Sequence, residues 1–125
     1  MHREQARLSE LFARLVSEPK RKFPPPRGRL RAPTARGVYV IYDPRGRPAH
    51  VGGTPRAKKG IAQRLRDHLA GRSSFVIRHL KSKPSKLRGR YEFQCLPVAD
   101  ARRRALLEAY AIGQLCPAHI GHGLG

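Results

Sequence analysis

The chain carries a large excess of positive charge. Lysine and arginine account for 27 of its 125 residues, against 8 aspartates and glutamates, which gives a formal net charge of +19 with the histidines neutral. Like charges at this density oppose a compact state, so a polyanion or the solvent must offset them. The excess is also uneven, because residues 55–90 hold 12 basic residues and one acidic residue. This concentration predicts a phosphate-binding face and therefore a nucleic-acid partner.

The length suits one compact domain of roughly 100 residues with an extension. No stretch approaches the roughly 18 consecutive apolar residues of a membrane span, and the first residues lack the apolar core of a secretory signal. Two cysteines, Cys95 and Cys116, are too few for a disulfide framework. We therefore expect a cytoplasmic protein with no membrane partner.

The chain is predicted to begin with a helix followed by a basic arm. Within residues 1–18, Leu8, Leu11 and Leu15 follow helical spacing, and their stripe is expected to pack on the core rather than on a partner. Residues 19–36, called the arm below, are rich in proline and basic side chains. The arm is expected to add nothing to a core. It would be extended or mobile, either as a solvated linker or as an element that follows a nucleic-acid backbone.

Residues 37–125 are predicted to form a small α+β domain, a three-stranded antiparallel sheet flanked by helices in the order β-β-α-α-β-α. The Asp43–Gly46 turn joins the first two strands as a hairpin. A short second helix, capped by one of two serines, is expected to direct Val76, Ile77 and Leu80 inward. The predicted strands are 37–42, 48–54 and 91–98, and the predicted helices are 61–70, about 74–81 and about 101–115.

The hairpin brings two chemically active side chains together. If residues 43–46 form a four-residue turn, Tyr39 is predicted to lie directly opposite His50, and opposed residues of an antiparallel pair share one face of the sheet. A phenol and an imidazole would then converge on one spot. Gly52 and Gly53 follow at once, and they allow a backbone or a substrate to approach closely. Taken alone, such a pair is more often an ordinary half-buried sheet contact.

Arg64 and His68 lie four residues apart on the next helix and therefore share a face at the edge of the core. Arginine offers a planar, permanently charged fork for phosphate, and histidine can titrate near neutral pH. A solvated helix face is the alternative. Glu108 is the only charged residue in the apolar run 105–112. A carboxylate there needs a partner, either an arginine or a divalent cation such as Mg²⁺.

The sequence holds GVY at 37–39 with HVG at 50–52, then QRLRDH at 63–68, LLEAYAI at 106–112 and Pro117. These four ordered elements together resemble the GIY-YIG nuclease superfamily, and the Ser-Ser-Phe run at 73–75 further resembles its small standalone bacterial members. The resemblance covers residues 37 to about 120. It implies a GIY-YIG-like fold and metal-dependent hydrolysis of phosphodiester bonds in DNA, including single-stranded DNA.

The resemblance also implies roles for individual residues. Tyr39 matches the tyrosine of GIY, His50 stands where YIG has its tyrosine, and Arg64 matches the catalytic arginine. His68 matches a frequent histidine, and Glu108 matches the glutamate that binds Mg²⁺ or Mn²⁺. Arg64 would offset charge on the phosphoryl oxygens. The general base that deprotonates the attacking water is left open among the tyrosine and the two histidines.

Three further hypotheses accompany the nuclease. The fold could serve as a non-catalytic DNA- or RNA-binding module, or the N-terminal helix could dock the chain on a larger enzyme. Cys116, His119 and His122, with Cys95, could form a zinc site, although the spacing is tighter than in ordinary zinc fingers. The basic residues predicted to contact nucleic acid are Arg56, Lys58, Lys59, Arg66, Arg72, Lys81, Lys83, Lys86, Arg88 and Arg90.

Overall fold

The fold is a four-stranded antiparallel sheet with helices packed on both of its faces. The computed structural model describes residues 3–54 and 58–121. Its elements are α1 (Arg3–Ser17), β1 (Arg21–Lys22), β2 (Gly37–Tyr42), β3 (Pro48–Gly53), α2 (Gly60–Leu69), β4 (Glu92–Pro97) and α3 (Ala101–Leu115). The strand order is β1-β4-β2-β3, so β2 is paired on both sides. Within the described ranges, no helix has the length and apolar character needed to cross a membrane.

Both faces of the sheet are covered, which explains why all six residues of β2 are buried. Its alternate side chains divide between two cores, because successive residues of a strand point to opposite faces. Val38 and Val40 pack in the core that α1 and α3 cover, whereas Ile41 packs in the core that α2 covers. Leu8, Leu11 and Leu15 of α1 are buried in the first core. The predicted packing of the N-terminal helix on the domain is therefore confirmed.

The arm contributes to the fold, contrary to the sequence prediction. Its first residues form β1, which pairs with β4, so the sheet has four strands rather than three. Phe23 is completely buried and packs edge-on against Phe93, with 5.1 Å between the ring centroids. The prediction failed because it weighed the prolines and charges of the segment, whereas one large aromatic side chain is enough to hold it in the core.

The other end of the arm caps α2. The backbone N–H groups of Ile61 and Ala62 donate to the carbonyls of Ala35 (2.9 Å) and Pro33 (2.8 Å). These are donors of the first helical turn, which have no partner within the helix. Gly60 is required at this junction, because its φ is +59° and a Cβ there would clash with the Ala35 carbonyl. The arm is thus fixed to the domain at both ends.

The hairpin forms where the sequence predicts it, but its register differs. Asp43 and Arg47 close the turn, and Gly46 takes a left-handed φ of +79°. The next pair is Tyr42 with Pro48, and the register then shifts so that Ile41 lies opposite His50 and Tyr39 lies opposite Gly52. The predicted pairing of Tyr39 with His50 is therefore wrong by two residues. The shift arises from the longer turn and from a bulge before His50.

The second predicted helix is a single π-helical turn over Phe75–His79, followed by a 3-10 turn over Pro84–Lys86. Val76 and Leu80 point inward as predicted, whereas Ile77 is half exposed. The backbone N–H of Leu80 donates to the Phe75 carbonyl, five residues earlier. This wider turn changes the side-chain spacing and places Phe75 fully in the core.

Candidate active site

One cleft of about 430 Å³ is lined by all five residues that the sequence singles out for catalysis. Tyr39 comes from the central strand β2 and His50 from β3, while Arg64 and His68 come from α2 and Glu108 from α3. Four different elements therefore contribute to the cleft. The positions of the five residues in one cleft are observed, and their roles in catalysis remain a prediction.

Tyr39 and His50 converge although they are not directly opposed. Their ring centroids are 6.1 Å apart, because a register error of two residues leaves a side chain on the same face of the sheet. The Tyr39 hydroxyl lies over Gly52, its true partner in the pairing with β3, and a Cβ at that glycine would clash with the hydroxyl. The glycine predicted to admit a substrate therefore admits this tyrosine.

A continuous line of hydrogen bonds extends from the cleft into the protein. The Tyr39 hydroxyl is 2.7 Å from His68 Nε2, and His68 Nδ1 is 2.6 Å from Ser73 Oγ. Ser73 Oγ also accepts a hydrogen bond from the backbone N–H of Val76 (3.2 Å). Both ring nitrogens of His68 are therefore engaged. The π-helical turn holds Ser73, the last member of the line, in place.

Burial keeps both central members of this line neutral at neutral pH. Removal from water raises the pKa of Tyr39, and the negative charge of Glu108 raises it further, while the Arg64 guanidinium opposes the rise. Burial lowers the pKa of His68 well below its usual range, and positive charge at neighbouring His50 and Arg64 adds to the effect. A neutral imidazole retains one nitrogen that can accept a proton.

Arg64 presents its guanidinium to the cleft with spare hydrogen-bonding capacity. Its Nη1 lies 3.3 Å from Asp67 Oδ2, while Nε is buried and has no hydrogen-bond partner among the residues described. A guanidinium carries five N–H donors, so those that Asp67 does not engage can bind an anion in the cleft. Asp67 also binds Arg72, at 3.1 Å, so its negative charge is shared between two arginines.

Glu108 reaches the cleft because β3 has no side chain at Gly53. A Cβ at that position would clash with Glu108 Oε1, so the carboxylate lies directly against the strand backbone. A divalent cation fits this donor set. Mg²⁺ keeps several of its waters and accepts one or two carboxylates together with substrate phosphate, and here one carboxylate borders open space beside a tyrosine and an arginine.

Aromatic rings form the wall of the cleft behind His50. The imidazole stacks on Phe75 with 5.0 Å between centroids, and His79 stacks on the same phenyl ring at 5.4 Å. His119 lies 5.3 Å from His50 and within 3.3 Å of Ser74 Oγ. Burial lowers the pKa of His119, and positive charge at His79 adds to the effect.

The zinc hypothesis gains no support from these contacts. Across residues 3–54 and 58–121, no group of three or more histidine, cysteine, aspartate or glutamate side chains is placed to hold a metal ion. Cys95 is half-buried in β4, whereas Cys116 is exposed at the end of α3. His122, the remaining candidate ligand, lies outside the described residues.

Five of the residues predicted to contact nucleic acid line one or both of two depressions on the surface, and the other described ones do not. Lys58, Lys59, Arg66 and Arg72 line a depression beside the cleft, and Arg88 lines a second depression next to it. Arg56 lies outside the described residues. Of the predicted residues, Lys81, Lys83, Lys86 and Arg90 are exposed and line neither depression.

Two residues of the site were not predicted from the sequence. Ser73 was considered only as a helix cap, and its contact with His68 depends on a π-helical turn that has no clear sequence signal. Asp67 lies three residues after Arg64, so helical spacing alone places the two side chains in reach. That spacing could have identified Asp67 as a partner of the arginine.

The structure matches solved GIY-YIG domains. It is similar to the GIY-YIG N-terminal endonuclease domain of UvrC from Thermotoga maritima bound to its catalytic magnesium, with 26% sequence identity over 70% of this chain and 84% of that one and a TM-score of 0.52. A point mutant of the same domain bound to its divalent cation gives 26% identity and a TM-score of 0.51. No protein-family model matches the sequence, and no curated protein matches it either. The fold is therefore α+β and GIY-YIG-like.

Proposed function

We propose that this chain is a metal-dependent endonuclease that hydrolyses phosphodiester bonds in DNA. The observation that carries the proposal is the convergence of Tyr39, His50, Arg64, His68 and Glu108 on one cleft from four elements of the fold. The structural similarity to a magnesium-bound endonuclease domain supports it. A surface with a large excess of positive charge suits a polyanionic substrate.

In this proposal Glu108 would hold Mg²⁺ or Mn²⁺, which when bound would supply Lewis-acid polarisation of the scissile phosphate. Arg64 contacts the phosphoryl oxygens with its guanidinium and offsets the negative charge that develops there. Its guanidinium pairs with Asp67 through Nη1, and phosphate can engage several of the remaining N–H groups at once.

Tyr39 and His68 together move the proton of the attacking water. Burial raises the pKa of the Tyr39 phenol, so the hydroxyl keeps its hydrogen at neutral pH and cannot act as a base on its own. Its hydrogen bond to neutral His68 offers a route by which the phenolic hydrogen passes to Nε2 as the tyrosine oxygen takes the hydrogen of water. His50, with its ring 6.1 Å from that of Tyr39, orients the water or the substrate.

A cleavage assay on labelled single- and double-stranded DNA, with Mg²⁺ or Mn²⁺ added, tests the proposal. We expect the wild-type chain to cut, Tyr39→Phe to lose about 100-fold or more in rate, and Glu108→Gln to lose its dependence on the cation. Tyr110→Phe is the matched control, because the ring of Tyr110 packs on Phe12 away from the cleft. Thermal unfolding of each variant checks that the fold is intact.

The alternative is a DNA- or RNA-binding module without catalysis. It would be supported if the wild-type chain bound nucleic acid but cut no substrate with either cation, or if Glu108→Gln cut as fast as wild type. Loss of cleavage in Tyr110→Phe equal to that in Tyr39→Phe would also contradict the assigned role of Tyr39.

A further inference from the structure

We propose that a nucleic-acid strand leaves the cleft along a basic trough that crosses α2 and ends at the arm, where Arg29 contacts its phosphates. The basic trough consists of the two depressions beside the cleft, and it is lined by Lys58, Lys59, Arg66, Arg72, Arg29 and Arg88. The inference rests on the proposed function only in taking nucleic acid as the ligand. It adds a path for the strand and a role for the arm.

The trough is continuous with the cleft. Gln63 and Asp67 line both the cleft and the first depression. Arg66 and Arg72 line both the first and the second depression. The cleft and the two depressions therefore adjoin one another in sequence, and a strand that leaves the cleft would follow them toward the arm.

The charge of the trough matches a phosphate backbone. Its described lining includes six basic side chains and a single acid, Asp67. That acid is paired with Arg64 and Arg72 at 3.3 and 3.1 Å, so it offers little repulsion to phosphate. Successive phosphates of one strand, each paired with a cation, release condensed counterions and gain affinity.

The end of the trough at the arm is held in a fixed shape. Arg88 Nη1 donates to the carbonyls of Pro25 and Gly28, both at 3.1 Å. The Gly28 N–H closes a turn by donating to the same Pro25 carbonyl at 2.8 Å. Arg29 follows this turn directly, so its backbone is positioned before any ligand binds. A preorganised contact loses less conformational entropy on binding than a mobile tail does.

The arm offers a matched pair of arginines for a test. Arg29 lines the trough, whereas Arg31, two residues later, is exposed and does not line it. A second pair is Arg66 on α2, which lines the trough, and exposed Arg45 in the hairpin turn, which does not. Each substitution to alanine removes one positive charge, so net charge is the same within each pair. Arg88 is unsuitable, because its removal would also release the arm.

The experiment measures binding of a labelled single-stranded oligonucleotide by fluorescence anisotropy over a range of salt concentrations, with EDTA present to prevent cleavage. We expect Arg29→Ala and Arg66→Ala each to reduce the slope of log affinity against log salt by about 0.7, and the double variant to reduce it by about 1.4. We expect Arg31→Ala and Arg45→Ala to change the slope by less than half as much. Unfolding curves confirm that all variants are folded.

Equal slopes for the members of each pair would contradict the proposed path. The basic residues would then attract nucleic acid through the overall charge of the surface and not through contacts along the trough. Failure of the wild-type chain to bind any oligonucleotide would overturn the proposed path too. The comparison of slopes is independent of the nuclease, whereas a failure to bind any oligonucleotide would count against both proposals. If the chain cuts DNA but the slopes are equal, the nuclease proposal stands and the path along the trough is wrong. If the slopes differ but the chain never cuts, the trough stands as a binding site and the nuclease proposal is wrong.

Discussion

Ser73 lies one hydrogen bond beyond Tyr39 and His68, and we expect its contact with Nδ1 to set which ring nitrogen of His68 carries the hydrogen. If Nδ1–H donates to Ser73 Oγ, Nε2 is free to accept the hydrogen of the Tyr39 hydroxyl. In the other tautomer Nε2 carries the hydrogen and cannot accept one. Ser73 Oγ already accepts from the Val76 N–H, which holds the hydroxyl in place for this contact.

Replacing Ser73 by alanine is therefore expected to shift His68 toward the tautomer with hydrogen on Nε2. Nitrogen NMR shifts of the imidazole report this change directly, without any cleavage assay. We also expect cleavage to slow about 10-fold, since one hydrogen bond of about 1.4 kcal/mol corresponds to that factor in rate. Ser73→Thr keeps the hydroxyl and should restore both properties. An unchanged imidazole spectrum in Ser73→Ala would contradict this role for the serine.

The packing of α3 on β3 depends on the absence of a side chain at Gly53. The carboxylate of Glu108 occupies the space that a Cβ would take. The obstructing atoms belong to the far end of a flexible side chain, so the strand and helix can keep their positions while the carboxylate moves. A change at this contact between two elements should therefore affect metal binding more than stability.

Gly53→Ala is expected to raise the Mg²⁺ concentration needed for cleavage by about 10- to 100-fold, with little change in the thermal unfolding midpoint. Gly113→Ala is the matched control, because Gly113 lies in the same helix α3 and nothing approaches its added Cβ within 4 Å. It should leave cleavage unchanged and stabilise the fold by about 0.4–1 kcal/mol. Titration of cleavage rate against Mg²⁺ separates the two, and equal curves for both variants would contradict the contact assigned to Glu108.

The elements that carry the cleft could be predicted from the sequence because each has a strong local pattern. The apolar run that starts at Gly37 predicts β2, and Asp100 caps α3 by accepting from the Arg103 N–H, as expected of such a residue. The face shared by Tyr39 and His50 was also predictable, since an even register error preserves it. These features depend on spacing within one element or one hairpin.

Features set by distant parts of the chain could not be predicted in this way. The two residues of β1 form a strand only because β4, about seventy residues later, offers a free edge. The bulge before His50 places the Ala49 carbonyl where the His119 N–H donates to it. Neither contact leaves a periodic pattern in the local sequence. The number of strands and the register of the hairpin therefore could not be predicted from the sequence.

At the scale of the whole molecule, one buried histidine and a large positive charge act in the same direction as pH falls. The net charge of +19 counts all six histidines as neutral, so every histidine that protonates adds to the repulsion. His68 differs from an exposed histidine, because burial holds its pKa in the folded state well below 6.5. In the unfolded chain the same side chain titrates near that ordinary value.

Stability should therefore be greatest above pH 6.5 and fall as the solution is acidified. Below that pH the unfolded state binds a proton at His68 that the folded state does not, so linkage lowers the free energy of unfolding by up to about 1.4 kcal/mol per pH unit. The loss continues until the pH reaches the pKa of the folded state. His119, whose pKa is also lowered, adds a second contribution of the same sign.

Urea unfolding at about pH 7.5 and about pH 5.5 measures this loss. His68→Gln removes the titrating group but retains an amide that can hydrogen-bond to Tyr39 or to Ser73, while the surface charge is common to both proteins. We expect the wild-type chain to lose more stability than His68→Gln over this interval, although the variant is less stable at the higher pH. Equal losses would mean that His68 titrates alike in the folded and unfolded states. The acid sensitivity would then come from the charge of the whole surface, and the neutral imidazole needed to accept the Tyr39 proton would no longer be assured near neutral pH.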